Sequence, residues 1–162
     1  MRERRVSRGP AATQLLITAG WLGAGLVLAA VVAPAAFAVL PDRTLAGALV
    51  GRVLPPIFYS GIATGLAGVW LARATGGRLV TMGTVAGLVI AISCALAQLV
   101  VAPRIEHVRA AIAGPVGGLA AGDARRAEFG RLHGASVLLL AVGMLGAAAS
   151  AGAAVAALRR ER

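Results

Sequence analysis

The chain has 162 residues, room for one domain, and 59% of them are hydrophobic against only 14% charged, which excludes an ordinary soluble domain. A net charge of +10 could suit a nucleic-acid binder, but the basic residues border long apolar runs with almost no aromatics between them, the pattern of membrane flanks. Cys94, the single cysteine, excludes an intrachain disulfide, and the use of arginine to the exclusion of lysine beside so much Ala and Gly reads as the bias of a GC-rich bacterial genome.

Uncharged stretches cover residues 9–41, 53–72, 79–103 and 132–158, and each reaches the roughly 20 residues a helix needs to cross ~30 Å of hydrocarbon. They are apolar all round rather than alternating, which excludes barrel strands. The predicted fold is all-α, an integral membrane four-helix bundle forming one domain over 1–162, with helices at about 11–33, 44–72, 79–102 and 124–158 and an outer loop at about 104–123.

Met1 to Arg8 carries arginines ahead of the first apolar run. That run exceeds the roughly 7–15 residues of a signal-peptide core, so it is read as a retained helix. Pro34 and Pro41 mark its exit. Gly20, Gly23 and Gly25 flatten one side for helix packing. A turn at Pro41-Asp42-Arg43 precedes the second helix, with Thr44 as the predicted N-cap. Pro55-Pro56 removes backbone donors inside that helix and predicts a kink or break near Tyr59. Gly61/Gly65, Gly83/Gly87 and Gly130/Gly134 are small-xxx-small pairs on the second, third and fourth helices, so Gly134 is expected to pack and a bulky residue there to force helices apart.

Arginines flanking one set of helix ends, at the two termini and in Arg73–Arg78, outnumber those in the loops around 43–52 and 104–131. The positive-inside rule then places both termini in the cytoplasm of a bacterial inner (plasma) membrane. Val31-Val-Ala-Pro34 recurs as Val100-Val-Ala-Pro103 at the same end of the first and third helices, as parallel repeats would have it.

On that topology Tyr59, Gln98, Ser136 and His133 lie within ~10 Å of the outer interface, at 1.5 Å rise per residue. Beside them stand Arg104, Glu106 and His107 at the end of the third helix and Arg131 at the start of the fourth. Glu106 and Arg109 are three apart, as are Arg104 and His107, and any helix there sets them side by side. Phe129, His133, Val137 and Leu140 share a face, so an inward Phe129 and Leu140 carry His133 into the bundle, with Glu106 and His107 as the nearest candidate partners and Tyr59 and Gln98 deeper. These eight, His133, Ser136, Arg131, Arg104, Glu106, His107, Gln98 and Tyr59, form the candidate polar cluster.

Trp21-Leu-Gly23, Ala33-Pro-Ala-Ala-Phe-Ala-Val-Leu-Pro41, Ala46-Gly47, Leu54-Pro-Pro-Ile-Phe-Tyr59, Ala102-Pro-Arg-Ile-Glu106 and Phe129-Gly-Arg-Leu-His-Gly-Ala-Ser136 resemble, in order, the pattern of the transmembrane protein 205-like family. The resemblance implies a four-helix membrane protein and leaves its activity open. The asparagines that some members carry in the third and fourth helices have Gln98 and Leu139 or Leu140 near their places here.

There is no HExxH, CxxC or Gly-rich phosphate loop and no pair of carboxylates within the membrane, so no catalytic residue is assigned. The sequence points to a non-enzymatic bundle in the lipid bilayer, with a polar cluster at its non-cytoplasmic end for a small solute or ion. It carries no resident cofactor and no nucleic-acid partner, and its Gly/Ala-rich faces are open to homo-oligomer contacts. The alternative is a protein binding haem or a transition metal through His107 and His133.

Overall fold

The computed structural model describes residues 8–75, 78–112 and 114–160. The arginines before Arg8, Gly76 and Gly77 of the basic loop, and Arg162 lie outside the described residues. Among the described residues there are helices and no strand. Helix α1 (Arg8–Val27) passes through a π-helical turn (Leu28–Val32) into α2 (Ala33–Val39), and α3 (Arg43–Thr75) returns. Helix α4 (Arg78–Ala95) likewise passes through a π-helical turn (Leu96–Val101) into α5 (Ala102–Ala110), and α6 (Ala124–Arg160) returns.

These make four spans, Gly9–Val39, Arg43–Arg73, Val80–Ala110 and Ala124–Arg159, each long and apolar enough to cross a membrane. At 31 to 36 residues each they exceed the ~20 that hydrocarbon requires, so they tilt or carry their ends into the headgroup layer. Helix α3 packs on α1 and α4, and α6 on α4 and α1. The bundle is therefore a ring in chain order, with the first and third spans at opposite corners and α3 touching α6 across the middle.

Pro34 and Pro103 do not end their helices. In each case the π turn closes on the residue just before the proline: Ala33 N–H donates to Leu28 O and Ala102 N–H to Ala97 O. The next donor in the ladder would come from the proline, which has none, so the missing bond falls in a turn already widened and the ring finds room. The third span accordingly runs on to Ala110, past the predicted end at 102.

Pro55 and Pro56 lie within one unbroken α3, and the predicted break near Tyr59 does not occur. Tertiary packing holds the segment helical: Phe58 is 2% exposed, and Trp21 Nε1 donates to Ile57 O at 2.9 Å. The helix start is also shifted. Asp42, not Thr44, is the cap, its Oδ1 accepting from Thr44 N–H at 2.7 Å and Leu45 N–H at 2.8 Å.

The core forms around the Trp21 indole with Phe58, Ile90, Cys94, Ala97, Leu140 and Ala147. Glycines create the space. A Cβ at Gly61 would collide with Cys94 Sγ and lie 2.8 Å from the indole, and one at Gly143 would lie 3.2 Å from the indole. At Gly65 a Cβ would stand 2.6 Å from Ala91 N and Gly87 O, and at Gly87 2.7 Å from Gly65 O. There α3 and α4 touch backbone to backbone, the close approach that small residues permit in lipid. Gly20, Gly23, Gly130 and Gly134 are different, since a Cβ at any of them meets nothing within 4 Å. Spacing alone cannot say which face of a helix a glycine pair occupies, and Gly130/Gly134 faces outward.

Candidate functional site at the loop end of the bundle

The residue that organises the loop end is Arg109, in the last turn of α5. Its side chain is 34% exposed. The guanidinium lies 3.7 Å from where a Cβ would stand at Gly47 and at Gly51, a groove that exists because those α3 residues, one turn apart, are both glycine. On its other side the guanidinium carbon sits 5.4 Å from the centroid of the Phe129 ring, a cation–π contact worth about 0.5–1 kcal/mol or more where water is excluded. The ring of His133 stacks on Phe129, centroids 6.2 Å apart and planes 4° from parallel. Glu106 reaches Arg109 Nη1 at 3.6 Å, but it is 72% exposed, and so loose a surface pair contributes about 0–1 kcal/mol. Arg109 thus bridges α3, α5 and α6 with its charge only weakly offset.

Around it the predicted cluster separates. Ser136 is buried at 8%. Gln98, on the π turn, is half-buried, and its Oε1 is enclosed without a hydrogen-bond partner among the described residues. A donor from water or a bound solute is the remaining way to pair it. Arg104, Glu106, His107 and Arg131 are exposed. Tyr59 is 54% exposed and faces away from the core, because its neighbour Phe58 takes the inward position. His133 is exposed as well, correcting the inward placement. Leu140 does pack inward and Phe129 is half-buried, and His133 lies on their side of the helix at 100° per residue, yet it is exposed and its ring contact is with Phe129. Among the described residues no three of His, Cys, Asp and Glu come together as a metal-holding group.

The loop that closes this end contains one 3₁₀ turn, Val116–Gly118, and Gly114 with φ +118°, a conformation that favours glycine. It is held by the start of α6. Asp123 accepts from Arg125 N–H at 2.8 Å and from its guanidinium at 2.8 and 3.1 Å. Arg125 Nη1 and Arg126 Nη1 donate to Ala111 O and Leu119 O at 3.1 and 3.0 Å. These bonds lower the Asp123 carboxyl pKa to about 2, the Arg125 side-chain hydrogen bond being the largest cause.

The opposite end holds the buried polar pairing. Gln14 Nε2 donates to Ser150 Oγ at 2.9 Å across α1 and α6, and Thr18 Oγ1 donates to Gln14 O at 2.7 Å. All three residues are 3% exposed or less. The sequence reading assigned no site to this end. It also paired Arg109 with Glu106 without placing it in the cluster, because the spacing of Gly47 and Gly51 does not say which residue lies against them.

Apolar spans of this length, arranged in a ring with their charges gathered at the two ends, define a multi-pass membrane protein. Within that class the chain belongs to the family of the domain of unknown function DUF4149, whose model matches residues 16–114, from the first span through the end of the third and its following turn. No curated protein and no solved structure matches the chain.

Proposed function

We propose that this protein is a non-enzymatic bundle of a bacterial inner membrane, with both termini cytoplasmic, that binds a small anionic solute at its outer, loop end. The observation that carries this is Arg109, a half-buried cation in a glycine groove with only a loose 3.6 Å partner in exposed Glu106. Arg104, Arg131 and His107 are exposed at the same end of the chain's spans, and such a concentration of one sign attracts anions. Binding is favoured over passage because Trp21, Phe58, Ile90, Cys94 and Leu140 fill the middle of the bundle.

The test is a thermal melt of the purified protein in detergent with inorganic phosphate, sulfate or chloride at matched ionic strength. A rise in Tm of several degrees with phosphate or sulfate, lost in Arg109→Gln, is expected. No anion-specific rise, or an equal one in Arg109→Gln, overturns the site. Topology is tested by reporter fusions: cytoplasm-active reporters should work after Arg162 and within 73–78, and periplasm-active ones between Gly114 and Gly122. The reverse pattern would invert the orientation.

A further inference from the structure

The repeated Val-Val-Ala-Pro places Pro34 and Pro103 69 residues apart, and the structure carries that offset into the backbone. The π-turn bond Ala33 N–H to Leu28 O has its counterpart, residue for residue, in Ala102 N–H to Ala97 O. The same offset then matches burial at five positions, although Ala86, Ala91, Ser93, Val101 and Val108 of the third span are buried where Ile17, Leu22, Ala24, Val32 and Val39 are not. Gln14, Thr18, Trp21, Gly25 and Leu28 are buried on the first span, and their counterparts Gly83, Gly87, Ile90, Cys94 and Ala97 are buried on the third.

The returning helices agree. Gly61 of α3 and Gly143 of α6 both accommodate Trp21 and Cys94, which sets an offset of 82 residues. Under it the buried residues Phe58, Gly65, Gly68, Leu71 and Ala72 fall on Leu140, Ala147, Ser150, Ala153 and Ala154, all buried too. Any two amphipathic helices can be slid into a matching stripe. Here the slide is fixed beforehand, by a tetrapeptide and a backbone bond in one case and by shared contacts in the other.

The counterparts on the first and third spans differ in size at four positions: Gln14 for Gly83, Thr18 for Gly87, Gly25 for Cys94, Leu28 for Ala97. A Cβ at Gly83 would stand 3.1 Å from Gln14 Nε2, and Trp21, Ile90, Cys94 and Ala97 share one core cluster. Two equal helices at fixed separation can fill the space between them at crystal-like density if one side chain grows where the other shrinks.

We propose that the chain is two copies of one helix hairpin, residues 8–75 and 78–160, docked through equivalent faces about an axis running along the bundle. The docking surface of each hairpin is thus one that fits a second copy of the same hairpin, and the copies have diverged by exchanging volume between counterparts. Parallel repeats related by an axis along the membrane normal are an established membrane architecture. This inference does not depend on the anion site.

The test exchanges volume between counterparts in the full chain. Leu28→Ala should lower Tm through a cavity, and Ala97→Leu should lower it further by overpacking a site that is 0% exposed. The double variant Leu28→Ala/Ala97→Leu should regain at least half of the summed loss. Leu28→Ala/Ala147→Leu is the control, since Ala147 is equally enclosed at 0% but is not a counterpart, and its losses should add. Additive losses in the counterpart pair, or equal recovery in the control, would overturn the proposal. If Ala97→Leu alone yields no folded protein, recovery of monodisperse double variant supports the proposal and failure of the double overturns it.

Discussion

The two ends of the bundle carry polar groups under opposite conditions. At the terminal end Gln14, Thr18 and Ser150 are enclosed and bonded to one another or to backbone, and a short distance along the bundle α3 and α4 meet with no side chains between Gly65 and Gly87. At the loop end Arg109 is half-buried, stacked on a ring and paired at long range with exposed Glu106. Enclosed polar groups in lipid must be satisfied internally, so the first arrangement stabilises the fold. The second spends little on stability and leaves exposed charge available to something outside the protein.

If this contrast holds, the largest effect should come from the glycine crossing. Gly65→Leu drives a side chain into Ala91 N and Gly87 O, backbone atoms that cannot step aside, and should cost more than about 4 kcal/mol or abolish folding. Gly134→Leu, with nothing within 4 Å, should leave Tm nearly unchanged. Comparable losses for the two in detergent melts would erase the distinction.

Next is Ser150→Ala, which strands the Gln14 amide in a dry site and should cost about 1–3 kcal/mol. Melts of Gln14→Leu/Ser150→Ala should then show part of that loss restored, because the orphan is removed with its partner.

A smaller, pH-dependent effect belongs to the loop. The Asp123 pKa is depressed to about 2, so its contribution is complete above the ordinary carboxylate range near ~4 and disappears as pH falls through about 2. Proteolysis or amide exchange in 114–122 should accelerate over that window, and Asp123→Asn should show the faster rate at neutral pH. The smallest effect is expected at His133. His133→Ala removes an exposed ring stacked on Phe129 and should change stability by less than about 0.5 kcal/mol. A loss of 2 kcal/mol or more would restore the inward, hydrogen-bonded histidine.

The four spans and the helical class were legible because hydrocarbon imposes one length and one backbone solution, and the uncharged runs report both. The prolines misled. The rule that proline interrupts a helix is sound for an isolated chain, yet Pro55-Pro56 is carried through by the Trp21 and Phe58 contacts, and Pro34 and Pro103 by π turns that no propensity announces. Of the polar cluster, Ser136 is buried while Tyr59 and His133 are exposed: Tyr59 was placed by depth alone, which contains no angle, and His133 by a shared helix face, which does not say whether a neighbouring helix covers that face at its level. Arg109 needed the knowledge that a loop-end arginine can lie in the groove of a glycine pair on another helix, which is a tertiary fact.

Cys94 makes this bundle its own clock. The thiol is fully enclosed, against the Trp21 indole and the glycines of α3 and α6. A maleimide can reach it only in molecules whose helices have parted. Labelling rate in native membranes, with no engineered probe, therefore reports how often the two hairpins separate, and the change in that rate on adding a ligand gives the ligand's effect on the opening free energy directly.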